Sequence, residues 1–204
     1  MNGQILVRQL GLRDYESVWR AMQKFTAERS CETADEIWIT EHPRVYTLGL
    51  NGKREHVLQI GNIPLVETDR GGQVTYHAPG QLVVYLLVDL RRLAMGPRQV
   101  VTLLENAMID TLMQYGVSAE ARSDAPGVYV QGKKIGALGL RIKRGCSYHG
   151  LSLNNAMDLM PFRNINPCGY AGLEVTQLAD LGVDVYTHEL AVPVVHHIIK
   201  AIES

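Results

Sequence analysis

The chain has 204 residues, 46% of them hydrophobic and 20% charged, with a formal net charge of −1. That balance excludes a disordered chain and suits one packed domain, read here as residues 1–204. It argues against a general nucleic-acid binder, which needs a basic surface, and against a membrane protein, because no apolar run approaches spanning length.

Met1 to Arg8 lacks the basic-then-apolar order of a signal peptide, so a cytoplasmic location is expected. The three cysteines, Cys31, Cys146 and Cys168, include no C-x-x-C and join no zinc-spaced cluster. A disulfide framework and a metal site are therefore not expected.

In chain order, Ile5–Leu10 reads as a first strand. Asp14 caps a helix reaching about Arg29, with Tyr15, Val18, Met22 and Phe25 on one face. Strands are expected at Ile37–Thr40 and Val45–Leu48, and a glycine-bearing loop over 49–61. Leu82–Val88 is apolar enough for a buried strand. Pro97 opens a helix striped by Val101, Leu104, Met108 and Leu112 and closed by Gly116. Strands follow at Gly127–Val130, Lys133–Ile142 and Ser147–Leu153. Asn164–Gly172 is irregular. Thr176 is expected to cap a short helix stopping near Gly182. Thr187 is expected to cap a last helix, in which Pro193 marks a kink or a late start. The sum is an α+β domain, with helices on one side of a mixed sheet.

The stretch around which the rest is organised is Asp69-Arg70-Gly71-Gly72-Gln73-Val74-Thr75-Tyr76-His77-Ala78-Pro79-Gly80-Gln81. Paired glycines let backbone N–H groups lie against a ligand, although the same residues would also build an ordinary hairpin. Cys168, in Asn166-Pro167-Cys168-Gly169, sits where a loop can present a thiol. A free thiol has a pKa of about 8.5, so a nucleophile needs a base or cation beside it. Lys133, Lys134, His77 and His149 are candidates. Adjacent strand residues face opposite ways, so only one of the two lysines can serve, and the residues alone leave open which.

Five segments carry a resemblance. Arg70 to Gln81 resembles the signature of the lipoyl(octanoyl) transferases. Glu41-His42-Pro43-Arg44-Val45-Tyr46-Thr47-Leu48-Gly49 resembles an earlier segment of that family, which usually has a second proline where Arg44 stands. Gly132-Lys133-Lys134-Ile135-Gly136-Ala137-Leu138-Gly139 looks like its lysine motif. His149-Gly150-Leu151-Ser152-Leu153-Asn154 and Asn166-Pro167-Cys168-Gly169 complete the set in order.

The resemblance implies a biotin/lipoate protein ligase-like catalytic domain. It implies transfer of octanoyl, or of lipoyl itself, from octanoyl-acyl carrier protein to a lysine of a lipoyl domain. The acceptors would be 2-oxoacid dehydrogenase subunits and the glycine cleavage H protein. Cys168 matches the acyl-carrying cysteine and Lys134 the lysine that lowers its pKa. Arg70, Gly71, Gly72, Gln73, Val74, Thr75, Tyr76 and His77 match acyl-binding positions, as do Ala137, Leu138, Gly139, Gly150, Leu151 and Ser152. The family often has Ser where Ala137 stands. A thioester donor is already activated, so no cofactor and no ATP are expected. The alternatives are an ATP-dependent lipoate or biotin ligase on the same fold, a non-catalytic acyl-binding protein, and a cysteine hydrolase using His77 or His149.

Overall fold

A computed structural model describes residues 5–167 and 172–203. Strand β6 (Gln81–Leu87), with every residue buried, runs through the middle of the larger sheet. Among the described residues that sheet has seven strands in the order β1-β2-β6-β10-β9-β8-β7. The others are β1 (Leu6–Leu12), β2 (Glu36–Glu41), β7 (Glu120–Ala121), β8 (Val128–Val130), β9 (Lys133–Lys143) and β10 (Cys146–Asn154). Only β1 with β2 is parallel; the other neighbours run antiparallel.

A strand buried on both faces needs cover on both. Leu82, Val84 and Leu86 pack with helices α2 (Pro97–Gln114) and α3 (Thr187–Glu203). Val83, Tyr85 and Leu87 pack with α1 (Tyr15–Glu28), through Tyr15, Val18, Trp19 and Met22. Helices therefore lie on both faces, not on one side as the sequence suggested: β6 reads as an unbroken apolar run because neither face meets water. The Asp14 carboxylate caps α1 by accepting the Ser17 N–H at 2.8 Å. Gln99 reaches back to the Gly96 N–H at the start of α2, at 2.7 Å.

A three-stranded sheet, β4 (Leu65–Glu67), β3 (Val45–Leu48) and β5 (Val74–His77), adjoins the α1 side. Its Tyr46, Leu48, Val74 and Tyr76 pack with Phe162 and Ile165. No described helix is long and apolar enough to cross a membrane.

Two caps differ from expectation. Thr176 caps nothing; its N–H donates to the Lys134 carbonyl at 2.9 Å, so the chain there is edge-paired with β9. Only a 3-10 turn, Ala179–Leu181, follows, ending at left-handed Gly182. Thr187 is the first residue of α3, not its cap. The Tyr186 carbonyl accepts the Glu189 and Leu190 N–H groups, at 3.0 Å each, and Pro193 lies inside the helix.

Gly80 turns the chain between β5 and β6 with φ +86°, and a Cβ there would collide with the Ala156 carbonyl. That carbonyl cannot retreat without loosening the Asn155 and Ala156 N–H bonds to the Gly80 oxygen, at 3.2 and 2.9 Å. Gly80→Ala is expected to cost about 2 kcal/mol or more. Urea unfolding checks it as a lower midpoint at unchanged slope.

Candidate active site

The site begins as a strip of missing side chains. In the β9–β10 ladder Ala137 faces Ser152 and Gly139 faces Gly150. Directly paired residues share a face, so this strip opens a groove on the sheet. The loop from Arg70 to Gln73 lies against it. The Gly71 N–H donates to the Leu140 carbonyl at 2.9 Å. A Cβ on Gly139 would sit 3.0 Å from Arg70 Cδ and 3.1 Å from the Gly71 oxygen.

Arg70 holds this loop to the small sheet. Its buried guanidinium donates to the Thr47 carbonyl at 2.6 Å, to Thr47 Oγ1 at 2.9 and 3.1 Å, and to the carbonyls of Gln73 and Gly71 at 2.8 and 2.9 Å. The cleft left between loop and strands has about 760 Å³ of empty space, counted with its open mouth.

Its wall includes Arg70, Gly72, Gln73, Val74, Thr75, His77, Lys134, Ala137, Leu138, Gly139, Gly150, Leu151 and Ser152. Of the sequence-expected positions, Gly71 and Tyr76 stand apart from it. The Tyr76 ring packs against Tyr46 and Phe162, and its hydroxyl accepts from Arg44 Nε at 3.1 Å. Cys168 lies outside the described residues. Its neighbour Pro167 lines the cleft, and so does Val175.

Lys134 is buried, 4% exposed. Its backbone is bracketed by the Glu174 carbonyl and the Thr176 N–H, at 2.9 Å each. Its Nζ donates to the Pro126 carbonyl at 2.9 Å and lies 5.5 Å from the Tyr129 ring centre. Lys133 is exposed and pairs with Glu174 at 3.5 Å. The strand alternation therefore turns Lys134 to the cleft and Lys133 to solvent.

At the opposite end lies a network around half-buried Asp69 that sequence reasoning only partly found. Asp69 collects Trp19 Nε1 at 2.7 Å, Gln23 Nε2 at 3.0 Å, His149 Nε2 at 3.0 Å and the Tyr148 hydroxyl. Burial alone would raise this carboxyl's pKa; the four donors outweigh it and hold the group well below the usual carboxylate range. The anchor keeps His149 at φ +62°, a left-handed conformation a histidine seldom adopts.

The partners of the other histidines fix their tautomers. Gln81 Nε2 donates to the Tyr76 carbonyl and Asn154 Oδ1, so Gln81 Oε1 faces His77 and accepts its Nδ1–H at 2.7 Å. His77 Nε2 is then an acceptor for the Thr47 hydroxyl, at 3.4 Å. His42 Nδ1 donates to the Arg13 carbonyl, and its Nε2 accepts from Tyr85, both at 2.7 Å. Burial, helped by mutual repulsion, lowers His77 to about 3, and burial lowers His42 to about 4. Burial also lowers His149. Tyr85, which lines the cleft, and His42, which holds its hydroxyl from behind, were not singled out in the sequence: an apolar strand does not mark which side chain faces a cleft, and a turn does not mark a histidine as buried.

The lipoyl protein ligase A/B catalytic domain model matches residues 14–199. The chain belongs to that family. Among curated relatives, the octanoyltransferase of Methylococcus capsulatus is 58% identical over 193 residues, 95% of this chain and 93% of its own. That of Laribacter hongkongensis is 61% identical over 192 residues, 94% and 93% of the two chains. Among solved structures, a putative lipoate protein ligase from T. acidophilum with bound lipoic acid superposes with TM-score 0.78 at 15% identity, covering 100% of this chain and 87% of that one. Biotin protein ligase from Aquifex aeolicus gives TM-score 0.59 at 11% identity, covering 100% and 70%. These two likenesses establish the biotin/lipoate ligase-like fold.

The neutral histidines set an acid limit on stability. Unfolded, each titrates near pH 6.5; folded, His42 and His77 stay unprotonated to about pH 4 and 3. Between those limits the unfolded chain binds more protons, so stability falls as pH falls from about 6.5 toward 4, on the order of 3 kcal/mol for each group. Asp69, with its lowered pKa, adds a further loss only below about pH 4. Urea titrations at pH 7, 5.5 and 4 are expected to show this slope, and His42→Gln to flatten it. A stability unchanged between pH 7 and 4.5 would exclude the assignment.

Proposed function

We propose that the protein is an octanoyltransferase that moves an octanoyl group from octanoyl-acyl carrier protein to a lysine of a lipoyl domain, through a thioester on Cys168. One catalytic domain, residues 1–204, carries the whole reaction in the cytoplasm. The observation that carries the reading is that the residues on both sides of the Cys168 segment, Pro167 and Val175, line the same cleft as buried Lys134. Relatives at 58% and 61% identity that bear the octanoyltransferase name support the same acyl chemistry.

The Cys168 thiolate, stabilised by the Lys134 ammonium, attacks the donor thioester carbonyl. The carbonyl–sulfur bond to the carrier breaks as the bond to Cys168 forms, and the departing thiolate takes a proton from Lys134. The acceptor lysine amine then attacks the Cys168 thioester. The amide forms, Cys168 leaves as thiolate, and neutral Lys134 takes the proton lost by the amine, which restores the starting pair.

The groove over Ala137, Gly139, Gly150 and Ser152 takes the acyl chain, each buried methylene contributing up to about 0.8 kcal/mol. Oxyanion donors come from the outer edge of β9. Its register with β8 stops at Gly136, whereas Leu151 and Ser152 are paired with both β6 and β9. A hydrolase based on His77 is disfavoured, because both its ring nitrogens are already engaged.

Intact-mass analysis after mixing with octanoyl-carrier protein tests the proposal. The expected product is a hydroxylamine-labile octanoyl adduct, absent in Cys168→Ser. Lys134→Ala should slow its formation most below about pH 8, where little free thiol ionises unaided. Lys133→Ala should do little. Equal losses in both lysine variants, or release of free octanoate in place of acceptor modification, would overturn the assignment.

A further inference from the structure

Glu105 is a buried carboxylate on α2 that the proposed chemistry does not use. The helix face it shares is otherwise built from Val100, Leu103, Leu104, Ala107, Met108, Thr111 and Leu112. Burying a charge there is costly unless something is gained from it. The other buried carboxylates each meet an arginine: Asp35 pairs with Arg29 and Arg92, Glu36 with Arg8, and Asp89 with Arg91. Among the described residues Glu105 has no such ion pair. Its hydrogen bond is to the Gly127 N–H, at 2.9 Å from Oε1.

That N–H belongs to the peptide unit whose carbonyl, on Pro126, accepts Lys134 Nζ at 2.9 Å. One planar amide thus has the Glu105 carboxylate at its N–H end and the Lys134 amine at its oxygen end. An anion at the N–H of an amide draws electron density toward the carbonyl oxygen and makes it a stronger acceptor; hydrogen bonds chained through one amide reinforce each other this way. Gly127 fits the same purpose. It has φ +139°, and a Cβ there would lie 2.6 Å from Lys134 Cε and 2.9 Å from Nζ. The space a side chain would fill is occupied by the lysine stem.

We propose that Glu105 is a positioning residue that holds Lys134, through the Pro126–Gly127 peptide, as a fixed ammonium at the cleft wall. The carboxylate oxygen sits on the Gly127 N–H and the lysine nitrogen on the Pro126 carbonyl, at opposite ends of the one amide. It acts through the amide and through its field. The Glu105 carboxyl is raised by burial and lowered by the Gly127 N–H and the Lys134 charge, which agrees with two groups sensing each other across the peptide. Among the described residues, other ionisable groups around the pair are Tyr129, whose ring faces Nζ, and Arg122, which lies over the same ring and pairs with Asp124. The Lys133–Glu174 pair lies on the solvent side of β9.

This builds on the role of Lys134 proposed above, so the first measurement is independent of activity. Lys134 is titrated by 13C NMR of labelled lysines, assigned with Lys134→Arg, in the wild type and in Glu105→Gln. The glutamine keeps an acceptor for the Gly127 N–H but removes the charge. The Lys134 titration is expected to move down by about one pH unit. Glu105→Asp should restore part of it, and the unfolding midpoint of Glu105→Gln should stay near that of the wild type. An unchanged Lys134 titration in Glu105→Gln overturns the proposal, whatever the reaction catalysed.

The second measurement is thiol acylation against pH. Glu105→Gln is expected to bring the alkaline limb down by the same interval, about tenfold in rate at a fixed pH on that limb. Combined with Lys134→Ala it should add nothing. A full extra loss in that double variant would mean that Glu105 acts apart from Lys134. A Lys134 titration that shifts while no acyl adduct forms would leave the positioning role standing and remove the transferase reading.

Discussion

Everything in the cleft depends on how the Arg70 guanidinium ties a loop to two sheets at once. It donates to Thr47 on the small sheet and to Gly71 and Gln73 of its own loop, while the Gly71 N–H reaches Leu140 on the large sheet. A planar fork with several donors suits this task better than an ammonium would. The cleft is the space left between surfaces that this one side chain holds at a fixed separation. The strip beneath offers almost no side chains to pack against, so polar contacts hold the loop: those of Arg70, the Gly71 N–H on Leu140, the Leu50 N–H on the Arg70 carbonyl, and the donors on Asp69.

The same bareness is what opens the slot proposed above for the acyl chain. Ala137, Gly139, Gly150 and Ser152 share one face of adjacent strands, which elsewhere in this sheet carries Val83, Tyr85 and Leu87 under α1. The sheet is thus filled by a helix at one place and left open at another. Interiors close-pack, so an unfilled strip bounded by rigid strands is a slot with a fixed floor. Such a floor suits a flexible apolar chain better than a loop-built pocket would, since the slot need not be ordered when the chain enters.

How much of this was legible in the sequence varied with the physics. Val45–Leu48, α1 with its Asp14 cap, and the Pro97 start of α2 follow local rules of periodicity and capping, and they fell where those rules placed them. β4 and β7, of three and two residues, are held by pairing alone and leave no periodic signal. Thr176 has the right chemistry for a cap, but the partner it meets is a distant strand edge. The motifs marked most of the cleft wall, yet not the inward or outward sense of each residue. Tyr76 sits among aromatic rings on the far side, and Arg70 makes backbone contacts no motif reveals. Glu105 looks like one more solvated helix charge until its burial is known.

The charges in the cleft also divide by partner. His42 and His77 are kept neutral by burial, with hydrogen bonds that commit all four of their ring nitrogens. Arg70 is cationic, but it directs donors at the carbonyls of Thr47, Gly71 and Gln73, which fixes its head within the wall. Lys134 differs from both: it lies against Gly127, its Nζ faces the Tyr129 ring, and it lines the cleft that Pro167 also lines. In the reaction proposed above, a thiolate in a site of low dielectric would be stabilised by such a cation far more than in water. At the Asp69 end two effects oppose each other: the carboxylate favours the charged form of His149, and burial outweighs it and lowers the group.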